Sequence, residues 1–91
     1  MGKKSVYRPE HKVLTKLLRE MRKEADLDQS DLAALLDRPQ SYVSSVERGQ
    51  RRLDLLQLRD HCTHCGQHLV DFVTRFQSAV AEANRALSEV N

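Results

Sequence analysis

The chain has 91 residues, 40% apolar and 31% charged, which is ordinary for one globular domain and too little for a two-domain enzyme. Aromatics are only 4% with no tryptophan, three glycines and two prolines exclude collagen-like and low-complexity chains, and two cysteines are too few for a disulfide framework. Net charge is +2, so any preference for a polyanion must come from where the charges sit.

They are unevenly spread. Residues 1–23 carry eight Lys and Arg against two Glu, residues 24–37 five acids and no base, and residues 38–52 four Arg against one Glu. Two basic blocks around an acidic one suit a polyanion if the fold puts both on one face, and otherwise make a mixed solvated surface. No apolar run approaches the length of a membrane span, and no hydrophobic stretch follows the basic start. A cytoplasmic location without a membrane partner is therefore expected.

In chain order, residues 1–8 read as a flexible basic arm carrying Lys3, Lys4 and Arg8. Val13, Leu14, Leu17, Leu18 and Met21 recur at three- and four-residue steps, predicting a first amphipathic helix over 9–24. Pro9 and Glu10 suit its first turn, and His11 reads as a solvated face residue. Asp28 is a good N-cap with Asp31 three residues on, followed by Leu32, Ala33, Leu35 and Leu36 in a short second helix. Asp37, Arg38 and Pro39 break it. A third helix opens at Pro39, turns Tyr42, Val43 and Val46 inward, and ends at Gly49, where a left-handed cap is needed.

After an Arg-rich loop with Asp54 as the next N-cap, Leu55, Leu58, Cys62 and Cys65 step along a fourth helix that stops at Gly66. From Leu69 onward, Val73, Phe76, Val80, Ala83, Leu87 and Val90 continue a heptad seam on a long last helix. The fold class expected is all-α with five helices.

Two short helices joined tightly, the second followed by Gly and a basic loop, make a helix-turn-helix candidate. The outward positions of the third helix are Gln40, Ser41, Ser44 and Ser45. These amide and hydroxyl groups can reach base edges, and Gln can pair bidentately with adenine. A helix built only for solubility would carry Glu and Lys there.

Over residues 18–72 the chain resembles the lambda-repressor/Cro-like, or XRE, family of helix-turn-helix DNA-binding proteins. The resemblance rests on "LLREMRKEADLDQSDLAALL", "RPQSYVSSVERGQRRLDLLQL" and "CGQHLVDFV". It implies that Gln29 touches the DNA backbone and supports the recognition helix, and that Gln40, Ser41 and Ser45 read bases. Tyr42, Ser44 and Arg48 are placed near the groove wall or phosphates. Arg22 and Glu47 are matched to a structural ion pair. The resemblance implies a core of Leu18, Met21, Leu32, Ala33, Leu36, Val43, Val46, Leu53, Leu58, Cys62, Cys65, Leu69 and Phe72. The chain departs from the family in having Asp37 where Gly is usual, a short Ser45 where the side chain is often long, and Leu35 at a usually polar position.

The function expected is a sequence-specific regulator, a repressor acting on a near-palindromic operator as a homodimer. Residues 9–72 would form the DNA-binding domain and residues 73–91 the dimerising helix. Arg51 and Arg52 flank the recognition helix and are assigned to double-stranded DNA phosphates, with Lys12 and Lys16 as further candidates. The alternative is an antitoxin-like or adaptor module that uses the same fold for a protein partner.

Residues 61–68 place Cys62 and Cys65 at C-x-x-C spacing among three histidines. A zinc site normally draws ligands from two separate chain segments, so both cysteines are read as small apolar core residues. No catalytic constellation is visible, and neither a metal nor another cofactor is expected.

Overall fold

A computed structural model describes residues 8–90, with side chains through residue 86. Five helices follow in order: α1, Pro9–Glu24; α2, Gln29–Leu35; α3, Gln40–Glu47; α4, Leu55–His64; and α5, Leu69–Val90. No strand occurs among the described residues, and none of their helices is long and apolar enough to cross a membrane. The expected arm at Lys3 and Lys4 lies outside the described residues. The expected boundary between residues 72 and 73 falls inside the continuous α5.

Local chemistry explains the helix starts. Pro9 sits in the first turn of α1, where a missing N–H costs nothing. Asp28 caps α2: its carboxylate accepts the Asp31 N–H at 2.7 Å, and the Asp31 carboxylate accepts the Asp28 N–H at 3.0 Å. Asp54 and Gln57 make the same reciprocal pair at α4, at 2.8 and 2.9 Å. Pro39 is the N-cap of α3 rather than its first helical residue, held extended at φ −70° and ψ 155°.

The helix ends share one device. Asp26, Asp37, Gly49 and Gly66 all have positive φ. In each case the next residue's N–H reaches back to a carbonyl five positions earlier: Leu27 to Arg22, Arg38 to Ala33, Gln50 to Ser45 and Gln67 to Cys62. These bonds satisfy carbonyls that a helix end otherwise leaves orphaned, while the left-handed residue reverses the chain. Asp37 therefore does the work of the family's usual glycine. Asp26 does the same in the turn between α1 and α2.

One apolar cluster holds the helices together. Leu17, Leu18 and Met21 from α1 meet Leu32 and Ala33 from α2, Tyr42, Val43 and Val46 from α3, Cys62 and Cys65 from the end of α4, and Phe72 from α5. Leu36, Leu53, Leu58 and Leu69 pack around it, partly buried. α2 packs on α3, and α1 lies against both α3 and α5. Phe76 and Ala79 extend the core along α5, so Phe76 is partly used within its own domain. Val73 next to Phe72 points outward, 39% exposed. Arg75 fastens α5 to the last turn of α1 through Glu24, at 3.1 Å.

Valine at residue 37 would have to adopt a left-handed backbone that a β-branched side chain resists. Asp37→Val is expected to lose about 1–2 kcal/mol, while Asp37→Gly stays within about 1 kcal/mol of the parent. Urea unfolding at constant m-value checks this, and equal stability of the two variants would contradict the structural role given to residue 37.

Candidate nucleic-acid interface

Successive residues of a helix turn by about 100°, so α3 divides into two faces. Tyr42, Val43, Val46 and Glu47 are buried. Gln40 and Ser41 are exposed, and Ser44 and Ser45 are half-buried. The amide and hydroxyl groups thus lie on the side turned away from the core.

The inner face carries a charge. The Glu47 carboxylate, 4% exposed, accepts from Arg22 Nε at 2.7 Å and from Arg22 Nη2 at 3.0 Å, a bidentate pair. It also accepts from Gln29 Nε2 at 3.1 Å. Arg19 Nε lies 3.7 Å away, and its Nη2 donates to the Glu47 carbonyl at 3.3 Å. Burial pushes the Glu47 carboxyl up, but the hydrogen bonds from Arg22 and Gln29 and the charges of Arg22 and Arg19 outweigh that and hold it below its ordinary range. Arg22 has one more acceptor, the Leu27 carbonyl at 2.8 Å. A single guanidinium therefore fixes the turn after α1 as well as the end of α3.

The network reaches the surface. Gln40 Nε2 donates to Gln29 Oε1 at 3.2 Å. The path runs from buried Arg22 through Glu47 and half-buried Gln29 to exposed Gln40, joining α1, α2 and both ends of α3. An amide held this way loses less conformational freedom when it meets a ligand.

Past α3 the left-handed Gly49 turns the chain into the basic loop. His11 closes over this turn, its Nε2 donating to the Gly49 carbonyl at 3.3 Å. A Cβ at Gly49 would stand 3.5 Å from the His11 ring. His11 is thus half-buried and ties the loop to α1, in contrast to the solvated position expected. Arg48, Arg51 and Arg52 are exposed, and Arg48 Nη2 donates to Gln50 Oε1 at 3.3 Å. Lys12 and Lys16 lie exposed on α1.

Two placements differ from a simple surface reading. Tyr42, assigned to the groove wall, is 7% exposed; the guanidiniums of Arg38 and Arg51 cover its ring, at 4.8 and 5.0 Å from the centroid. His61 lies beneath α3, 3% exposed, with its ring centroid 5.9 Å from that of Tyr42. Its Nε2 has no hydrogen-bond partner. Burial drives its pKa down to about 4, against the opposing pull of Glu47 and Asp60, so the ring is neutral at pH 7.

The cysteines belong to the core. Burial raises the Cys62 thiol, and burial together with Cys62 raises Cys65 to about 11. Both are protonated at neutral pH and poor nucleophiles. Among the described residues, no three His, Cys, Asp or Glu side chains come together so as to hold a metal ion.

Residues 13–71 match the model of a helix-turn-helix domain. A solved XRE-family-like protein from Pseudomonas syringae pv. tomato str. DC3000 is 34% identical, with 85% of this chain and 94% of that one covered and a TM-score of 0.74. The chain belongs to the XRE family of helix-turn-helix proteins. The same fold recurs in the clp gene regulator ClgR from Corynebacterium glutamicum, at 22% identity, 91% and 90% coverage and a TM-score of 0.74. It recurs again in the restriction-modification controller protein C.Esp1396I, at 20% identity, 81% and 97% coverage and a TM-score of 0.74. No curated protein matches the sequence significantly.

Within this XRE-family domain, sequence reasoning missed His11 and Arg38. His11 meets its partner 38 residues away, and Arg38 looks like a loop charge until Tyr42 is folded against it. The only available hint for Arg38 was its position directly before Pro39 at the mouth of α3.

The buried His61 makes stability pH-dependent. Its folded pKa is depressed below the unfolded value of about 6.5, so between about pH 6.5 and 4 the unfolded chain takes up a proton that the fold refuses. Stability is full above this window and falls as pH drops through it. Lowering the pH from 7.5 to 5 is expected to cost on the order of 1–2 kcal/mol through this residue. Urea unfolding of the parent and of His61→Leu at the two pH values checks this. The same loss in both proteins would assign the effect elsewhere.

Proposed function

We propose that this DNA-binding transcriptional regulator of the XRE family works as a repressor, binding a near-palindromic operator as a homodimer with α3 in the major groove. Gln40, Ser41 and Ser44 or Ser45 read bases in this reading, with water completing the reach of the short serines. Gln29, Arg48, Arg51 and Arg52, with Lys12 or Lys16 as further candidates, hold backbone phosphates and set the register of the helix on the duplex. The observation that carries the reading is Gln40, exposed at the start of α3 and hydrogen-bonded through Gln29 to the buried Glu47.

The dimer would use α5. Val73 is exposed, Val80 and Ala83 are half-buried, and Leu87 and Val90 have side chains outside those described. Ala79, Ala83 and Ala86 line a groove of about 500 Å³ beside Val13 and Leu17 of α1, and small residues there allow another helix to approach closely. A two-fold dimer of this motif sets its recognition helices about 34 Å apart, one turn of B-DNA, which is why the operator should be nearly symmetric.

An antitoxin-like or adaptor role is the second reading, favoured by Leu35, 47% exposed at the end of α2. A symmetric dimer of the isolated protein in solution supports the regulator. A monomer that becomes ordered only with a different protein supports the adaptor.

Selection of bound fragments from random duplex DNA tests the main reading and should enrich a two-fold symmetric site. Gln40→Ala should then lose about 1–3 kcal/mol on the selected site and relax base preference at one position in each half. Equal weakening on selected and random DNA would reduce Gln40 to a backbone contact.

A further inference from the structure

Tyr42 sits on one edge of the readout face of α3. Its ring is turned inward and buried, while Ser41 before it and Ser45 one turn on are open to solvent, fully or in part. The opposite edge belongs to Glu47 and, through Gln29, to Gln40. That edge is held by the buried Arg22–Glu47 ion pair, which the amides of Gln29 and Gln40 carry to the surface. The Tyr42 edge is held by cations: Arg38 enters from the turn before α3 and Arg51 from the loop after it, and both guanidiniums lie over the same ring.

Among the described residues neither arginine has an acidic partner. The carboxylates that act on the Tyr42 hydroxyl from the α4 side are those of Asp54 and Asp60, and Asp54 is engaged in capping α4. A guanidinium held over an aromatic face by its charge keeps its N–H donors for another acceptor. It is also already ordered, so it binds a planar-edged anion with less loss of freedom than a free side chain would.

We propose that Arg38, Tyr42 and Arg51 form a clamp for the phosphodiester backbone of one DNA strand, with the buried ring serving as the platform that aims both guanidiniums. Arg38 is the new contact. The clamp rests on the reading that α3 enters the major groove, and it accounts for how the helix is held on the side opposite Gln29. The strand lying along the Tyr42 edge is gripped by charge, so this contact sets position and carries no base preference. Tyr42 acts through the two arginines and need not touch DNA itself.

Affinity for the selected duplex and for random duplex, each measured across a range of salt concentrations, tests this. Arg38→Ala should weaken both duplexes by the same factor and reduce the slope of log K against log salt by about 0.9, the value of one phosphate contact. Arg38→Ala combined with Arg51→Ala should reduce it by about twice that. Tyr42→Leu removes the aromatic platform and should lower the slope. Thermal melting of Arg38→Ala separates binding from folding, since Arg38 is exposed. A parent that binds duplex DNA while Arg38→Ala keeps the full slope would overturn the clamp alone, as would a variant that loses only stability or only base preference. A parent that binds no duplex would overturn the major-groove reading and the clamp with it.

Discussion

The buried carboxylate of Glu47 is the constraint on which this small domain is organised. An ionised carboxyl taken out of water is costly unless nearly every lone pair is answered. Here Arg22 answers with two N–H groups and Gln29 with one. Arg22 in turn spends its remaining nitrogen on the Leu27 carbonyl. The end of α3 can therefore occupy only one place relative to α1 and the start of α2. Removing one partner of such a pair typically costs about 3–5 kcal/mol, because the other is left buried and unpaired. A pair of this kind specifies arrangement more than it adds stability.

Arrangement is what the outward face of α3 needs. The helix has only eight residues, too few to be stable by itself, and it has no side-chain cap. Its position comes from Val43 and Val46 in the core, from Glu47 at one edge and from Tyr42 at the other. The left-handed Asp37 and Gly49 bring the chain in and out of it sharply, which places Arg38 and Arg51 beside the same ring. The cysteines and His61 supply apolar or neutral bulk underneath the helix.

Much of this was legible in the residues. The helix bounds follow from one-sided apolar stripes, because a stripe with three- and four-residue steps has few ways to be buried. Asp28 and Asp54 announce their caps, and Asp37 stands where the family usually has a glycine. Other features are not local and were hidden. Asp26 takes a positive φ with no glycine to mark it. His11 depends on a carbonyl far along the chain. The heptad seam through Phe76 says that α5 has a face to cover but not which surface covers it, and Phe76 proves to lean partly on its own core. Tyr42 reads equally well as core or groove wall until Arg38 and Arg51 are seen to close over it.

The most direct test exchanges the buried pair for apolar residues of similar size, Arg22→Met with Glu47→Leu, and compares base preference on the selected operator with that of the parent. Such replacements often leave stability unchanged or raise it by about 1–4 kcal/mol, so the variant should fold and still bind DNA. If the pair serves to hold Gln29 and Gln40 in their reading geometry, discrimination at the position read by Gln40 falls while overall affinity for random duplex is kept. A variant that folds and discriminates as well as the parent would contradict the central role given to Glu47.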